Sequence, residues 1–203
     1  MKKIGSVKAL EELGRQRLSQ SFFLRDFLHS EIASFYGLSS IPDDPELAVA
    51  AGGKLCEELL EPLQMRFGRI AIRSAYRSCE VNELGNRKGH NCASNEANYA
   101  NHIWDRRDAE GCMGAAACIV IPYLVDRKEE RRCTWQAMAW WIHDNLPYSR
   151  LQFFPKLAAF NIQWHEKPVR KIDSFADPRG VLTKKGMPNW EGDHAALYRS
   201  LLA

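Results

Sequence analysis

The chain has 203 residues, 45% of them hydrophobic, with 28 Lys and Arg against 25 Asp and Glu for a formal net charge of +3. That length and apolar content suit one domain with a sizeable core. The small, scattered charge argues against nucleic acid or an anionic membrane surface as partner, and no run approaches the roughly 18 apolar residues of a membrane span.

The N-terminus, MKKIGSVKALEELG, carries two lysines but no apolar h-region, which points to a cytoplasmic protein without a secretory signal. Residues 6–18 read as a short peripheral amphipathic helix. From Leu24 the apolar positions 24, 27, 28, 32, 35 and 36 recur at helical spacing, and Gly37 is a natural stop. Asp44-Pro45 then gives a cap followed by proline at the first helical position. The helix it opens is expected to run to about Phe67, weakened at Gly52, Gly53 and Pro62.

Ile70 and Ile72, alternating with polar residues, predict a strand ending near Ala75. Residues 83–101 are rich in Gly, Asn and Ser and read as a long irregular segment, which is usually functional or disordered. Residues 101–122, NHIWDRRDAEGCMGAAACIVIP, join a polar cluster to an apolar run that predicts a strand buried on both faces. Residues 126–145 read as a helix with Trp135, Met138, Ala139, Ile142 and Leu146 on one face. Short strands are expected at 151–154, 160–165 and 169–175. The turn-rich tail closes on a short helix at 193–202. Helices first and short strands later favour an α+β fold with a mainly antiparallel sheet. The six cysteines (56, 79, 92, 112, 118 and 133) contain no C-x-x-C pair and read as reduced structural thiols.

Several residues are able to carry chemistry. Arg77, just past a strand end, suits bidentate binding of a carboxylate; the alternative is a surface arginine paired with Glu80. His102, Asp105 and Asp108 form an H-x-x-D-x-x-D run whose ligand types suit zinc, although the aspartates also suit turn caps. His165 is the distant histidine best placed to join them, or a packed strand residue. His29, His90, His143 and His194 read as exposed. Cys112 and Cys118 read as inert packing rather than a thiol site.

The order of these features resembles the D-Ala-D-Ala carboxypeptidase family of zinc peptidases, which share the Hedgehog/DD-peptidase fold. The likeness covers roughly residues 18–175 of a single domain and leaves 176–203 as an irregular extension. It rests on LSQSFFLRDFLHSEIASFYGL as an opening helix and on the S-x-Y-R-S-x-x-V-N signature from Ser74 to Asn82. It also rests on GAAACIVIP as the G-x-A-x-D strand and NIQWHEKPVRKIDSF as the final W-H strand.

The resemblance implies Zn2+ as cofactor and hydrolysis of cell-wall (peptidoglycan) peptides. Ser74, Tyr76 and Arg77 would hold the substrate. His102, Asp105, Asp108, Cys118 and His165 would be the metal-ligand candidates, with Glu166 beside His165 as the glutamate available for general-base work. The chain departs from the family at the metal motif. Gly111 falls where the family has its first histidine, and Cys118 falls where it has its aspartate. The positions before His165 that would carry the catalytic glutamate hold Asn161, Ile162 and Gln163. A non-catalytic binding or assembly module on the same fold is therefore the competing expectation. A phage-type lysis or injection apparatus would give such a protein its route to a cell wall.

Overall fold

The small-residue run Gly-Ala-Ala-Ala-Cys-Ile-Val does become a strand buried along its whole length, and the sheet is built around it. The computed structural model describes residues 6–130 and 133–202. Six strands form one mixed sheet: β1 (Ala71–Ser74), β2 (Gly114–Val120), β3 (Arg150–Phe153), β4 (Phe160–His165), β5 (Lys171–Ser174) and β6 (Gly180–Thr183). Their spatial order is β1-β2-β4-β3-β5-β6, and every neighbouring pair is antiparallel except β3 and β5. The expected α+β class and mainly antiparallel sheet describe this architecture.

Strand alternation divides the sheet into two unlike faces. Ala115, Ala117 and Ile119 of β2 point into the core with Phe160, Ile162 and Trp164 of β4 and Leu151 and Phe153 of β3. The helices α3 (Pro45–Leu55), α4 (Glu61–Phe67) and α8 (Trp135–Asn145) contribute to that core. The alanines of β2 let α3 approach the sheet closely. Gly52 of α3 is held to glycine by Trp104, whose Cζ3 would lie 2.7 Å from an added Cβ. The other face carries Cys118 and Asn161 at its centre and forms the floor of a cleft.

Local chemistry accounts for the departures from the sequence reading. The helix expected from Leu24 is split into a 3-10 turn, Leu24–Phe27, and α2 (Glu31–Tyr36), because Ser30 caps a new start by accepting from the Ala33 amide. The long helix after Asp44 passes through a π-helical turn, Cys56–Leu60, just ahead of Pro62. Proline donates no amide, and its ring crowds the preceding carbonyls.

Residues 83–101 are irregular only in part. Two short helices enter them, α5 (Cys79–Arg87), capped by Ser78, and α6 (Asn95–Asn98), capped by Ser94, while 88–94 and 99–101 stay in turns and loop. Pro122 does not merely close β2; it opens α7 (Pro122–Glu129), and α8 starts separately at Trp135. The tail supplies β6 and α9 (Ala195–Leu202), which packs on α8 and makes the extension part of the fold. Of the remaining expectations, α1 (Val7–Gly14) forms within the predicted helix at 6–18, and the six cysteines are free thiols.

Candidate functional site in the cleft over the sheet

The cleft encloses about 790 Å³ above the face of the sheet opposite the main core. Its floor is a row of partners running straight across the strands: Ser74 pairs with Cys118, Cys118 with Asn161, Asn161 with Gln152, and Gln152 with Asp173. The first four line the cleft. The register of β1 against β2 slips between Ile72 and Ser74. A bulge of this kind turns two successive side chains toward one face, and Arg73 and Ser74 both line the cleft.

His102 reaches the cleft because its loop takes the place of β1 beside β2. The Ala116 amide donates to the Asn101 carbonyl (2.8 Å) and the Arg77 amide to the His102 carbonyl (2.8 Å). Gly114 permits this crossing, since a Cβ there would lie 2.3 Å from the Ala100 carbonyl oxygen. Within the loop, His102 Nδ1–H donates to the Ala75 carbonyl at 2.8 Å, leaving Nε2 as a lone-pair acceptor. Burial, reinforced by the charge of Arg77, lowers the His102 pKa from its ordinary 6.5 to about 3. The ring is therefore neutral at physiological pH.

Arg77 is held by Asn82 Oδ1 (3.4 Å) and by the Cys92 thiol (3.2 Å), both on its Nη1. Asn82 and Asn86 in turn bond the Ala93 and Cys92 carbonyls, so the asparagines of the polar segment fix the wall that positions Arg77. Among the described residues, neither Arg73 nor Arg77 forms an ion pair. Burial pushes the Cys118 thiol up, with Arg73 and Arg77 opposing it in part, so it stays protonated. The side-chain amide of Asn161 makes no hydrogen bond among the described residues.

The expected site residues are thus divided. Ser74, Arg77, His102 and Cys118 converge on the cleft. Tyr76 does not line it; the ring is fully buried against Trp104 in the core. Asp105 is also turned inward. Its Oδ2 accepts from the amides of Asp43 (2.7 Å) and Asp44 (3.4 Å), anchoring the loop before α3, and burial pushes its carboxyl up.

His165 pairs with Gly114, four residues along the strand from the Cys118–Asn161 pair, which is about 13 Å at strand rise. Its Nε2 donates to Asp108 Oδ2 at 3.0 Å, while Nδ1 accepts from the Lys167 amide. Asp108 also accepts from the Glu110 and Cys112 amides. Burial raises its carboxyl pKa, but these bonds outweigh that and hold it below the usual range. Glu166 is exposed, bonded to the Met113 amide (2.7 Å) and 3.6 Å from Arg107. The five metal-ligand candidates therefore do not converge on one point, and they do not fit a single zinc site.

Ligand-type atoms do gather elsewhere. Among the described residues, the group of three His, Cys, Asp or Glu ligand atoms within 4.8 Å of one another is His143, Asp144 and His194, and this cluster could hold a metal ion. Both histidines, expected at exposed helix surfaces, are buried between α8 and the C-terminal arm. In the protein as it stands their ring nitrogens are engaged. His143 Nε2–H donates to the Trp190 carbonyl (3.0 Å) and Nδ1 accepts from the Tyr148 hydroxyl (2.7 Å). His194 Nδ1 lies 2.7 Å from Asp144 Oδ1, Nε2 lies 3.1 Å from the Asn189 carbonyl, and the ring stacks on Trp140. The sequence signal for this cluster is His143-Asp144, but its partner is 50 residues away.

Comparison with protein-family models, curated proteins and solved structures returned no match for this chain.

Proposed function

We propose that this chain is a peptidase-like protein of the D-Ala-D-Ala carboxypeptidase type. Its cleft binds the carboxylate end of a short peptide, a peptidoglycan fragment by resemblance, without hydrolysing it. The observation that carries this reading is the pair Arg73 and Arg77, without ion-pair partners among the described residues and set over a floor of Ser74, Cys118 and Asn161. A guanidinium fork offers a carboxylate two parallel charge-assisted bonds. Neutral His102 presents Nε2 as an acceptor for a peptide N–H. The reading as a binding module rather than a hydrolase rests on where the reactive groups lie: His165, Asp108 and Glu166 are outside the cleft and engaged with one another or with backbone. We read the α+β architecture as Hedgehog/DD-peptidase-like on the strength of the sequence signature.

A fluorescently labelled peptide ending in D-Ala-D-Ala tests the proposal by polarisation. The free acid is expected to bind at least tenfold more tightly than its C-terminal amide, and Arg77→Ala should remove that difference. Equal binding of acid and amide would overturn it.

The hydrolytic reading has one observation in its favour, the Nε2 of His102, which has no hydrogen-bond partner among the described residues and lies in the cleft that Cys118 also lines. Cleavage of the same peptide with added zinc, lost on chelation, would replace the binding reading. Two imidazoles and one carboxylate are ligand types that suit zinc, so the His143, Asp144 and His194 cluster, which could hold a metal ion, supports a zinc site there rather than in the cleft.

A further inference from the structure

The cleft differs chemically along its length. At the β1 end lie Arg73 and Arg77, with Glu31 of α2 facing them, which leaves one net positive charge. At the β3–β5 end lie Phe154 and Phe175, stacked with ring centroids 5.9 Å apart and planes at 23°. Phe154 packs against the small apolar cluster that includes Ala159 and Val120, so that end of the floor is apolar and anchored. Phe175 is 54% exposed and presents its ring to solvent. Between the two ends stand amides, Asn161 and Gln152. The Asn161 amide has no partner among the described residues, and Gln152 uses only its Nε2, on Asp173.

The cross-strand row sets the scale. Adjacent strands are about 4.8 Å apart, so three to four steps from β1 to β3 and β5 span roughly 14–19 Å. An extended peptide rises about 3.3 Å per residue, so this span is about five residues.

We propose that the cleft binds a peptide of about five residues lying across the strands. Its C-terminal carboxylate sits at Arg77 and Arg73, its backbone amides meet Asn161 and Gln152, and an apolar side chain about four residues upstream packs on the Phe154–Phe175 pair. The proposal rests on the carboxylate-binding reading above and adds length, direction and an apolar requirement to it. Burial of one apolar side chain against aromatic rings accounts for about tenfold in affinity.

The test uses N-acetylated pentapeptides ending in D-Ala-D-Ala, with leucine or asparagine at the first position and alanine at the second and third. Binding to the full chain is measured by calorimetry. The leucine peptide is expected to bind about tenfold more tightly. That preference should vanish when leucine is moved to the third position, and also in Phe175→Ala. Carboxylate-dependent binding that ignores leucine and Phe175 would overturn the proposal while leaving the reading beneath it intact. Absence of carboxylate-dependent binding to any of the peptides would overturn both. The peptide series makes the same discrimination on the unaltered protein, independently of how the variant folds.

Discussion

His102 illustrates how one side chain couples the cleft to stability. Its neutral form is held by burial and by the bond to the Ala75 carbonyl, with a pKa lowered to about 3. The unfolded chain takes up a proton at this residue below its ordinary 6.5, whereas the folded chain does not until about 3. The stabilising contribution is therefore complete above the unfolded value and is lost as pH falls through that window, by up to about 1.4 kcal/mol per pH unit. Urea midpoints measured from pH 7 to pH 4 should fall more steeply for the natural protein than for His102→Asn. Parallel pH curves for the two would show that this ring does not drive acid unfolding.

Cys118 shows the opposite use of burial. A thiol pushed up by its surroundings is a poor nucleophile. Iodoacetamide should label it slowly at pH 7.5, and rapid labelling at Cys118 would mean a reactive thiol instead.

The elements hold the cleft open by close approaches that only particular residues permit. β2 starts at a glycine because the loop carrying His102 passes over it. Gly114→Ala would drive a methyl into the Ala100 carbonyl and into His165. Overpacking of this kind should cost on the order of 3 kcal/mol. Gly111 sits in a left-handed turn (φ 76°) with open space around it. Alanine there should cost only about 1 kcal/mol, through backbone strain. Thermal melts of the two variants check the contrast, and a smaller loss at Gly114 than at Gly111 would contradict the crossing-loop account. The bulge in β1 acts by geometry rather than crowding: it sets Arg73 and Ser74 on one face, where plain alternation would separate them.

Over the whole molecule, the C-terminal arm is the part most open to a ligand effect. The segment before α9 meets α8 through His143, Asp144, His194 and Trp190, and Arg170 adds bonds to the His143 and Leu146 carbonyls. A metal bound there would tie the arm to the core. Zinc at about one hundred times its dissociation constant should stabilise the fold by about 2.7 kcal/mol, seen as a rise in Tm that His194→Ala abolishes. An unchanged Tm at saturating zinc would leave hydrogen bonds alone as the link.

Much of this architecture was legible in the sequence, for local reasons. The Asp44-Pro45 start, the buried run of β2, the strands near 151–154 and 160–165 and the closing helix follow from caps, alternation and apolar runs within a few residues. The polar stretch 83–101 misled in part because the face α5 buries carries Asn82 and Gly85 beside Val81, so its inner side does not read as an apolar stripe. The sequence also supplied Arg77, His102, Ser74 and Cys118 as residues with chemistry. It could not tell which of its candidates share a point in space. That was decided by strand register, which sets His165 opposite Gly114 and Asn161 opposite Cys118, and by the loop that turns Asp105 inward. Side-chain type is a local property of the chain, whereas convergence depends on pairings between residues tens of positions apart, which only the packed sheet fixes.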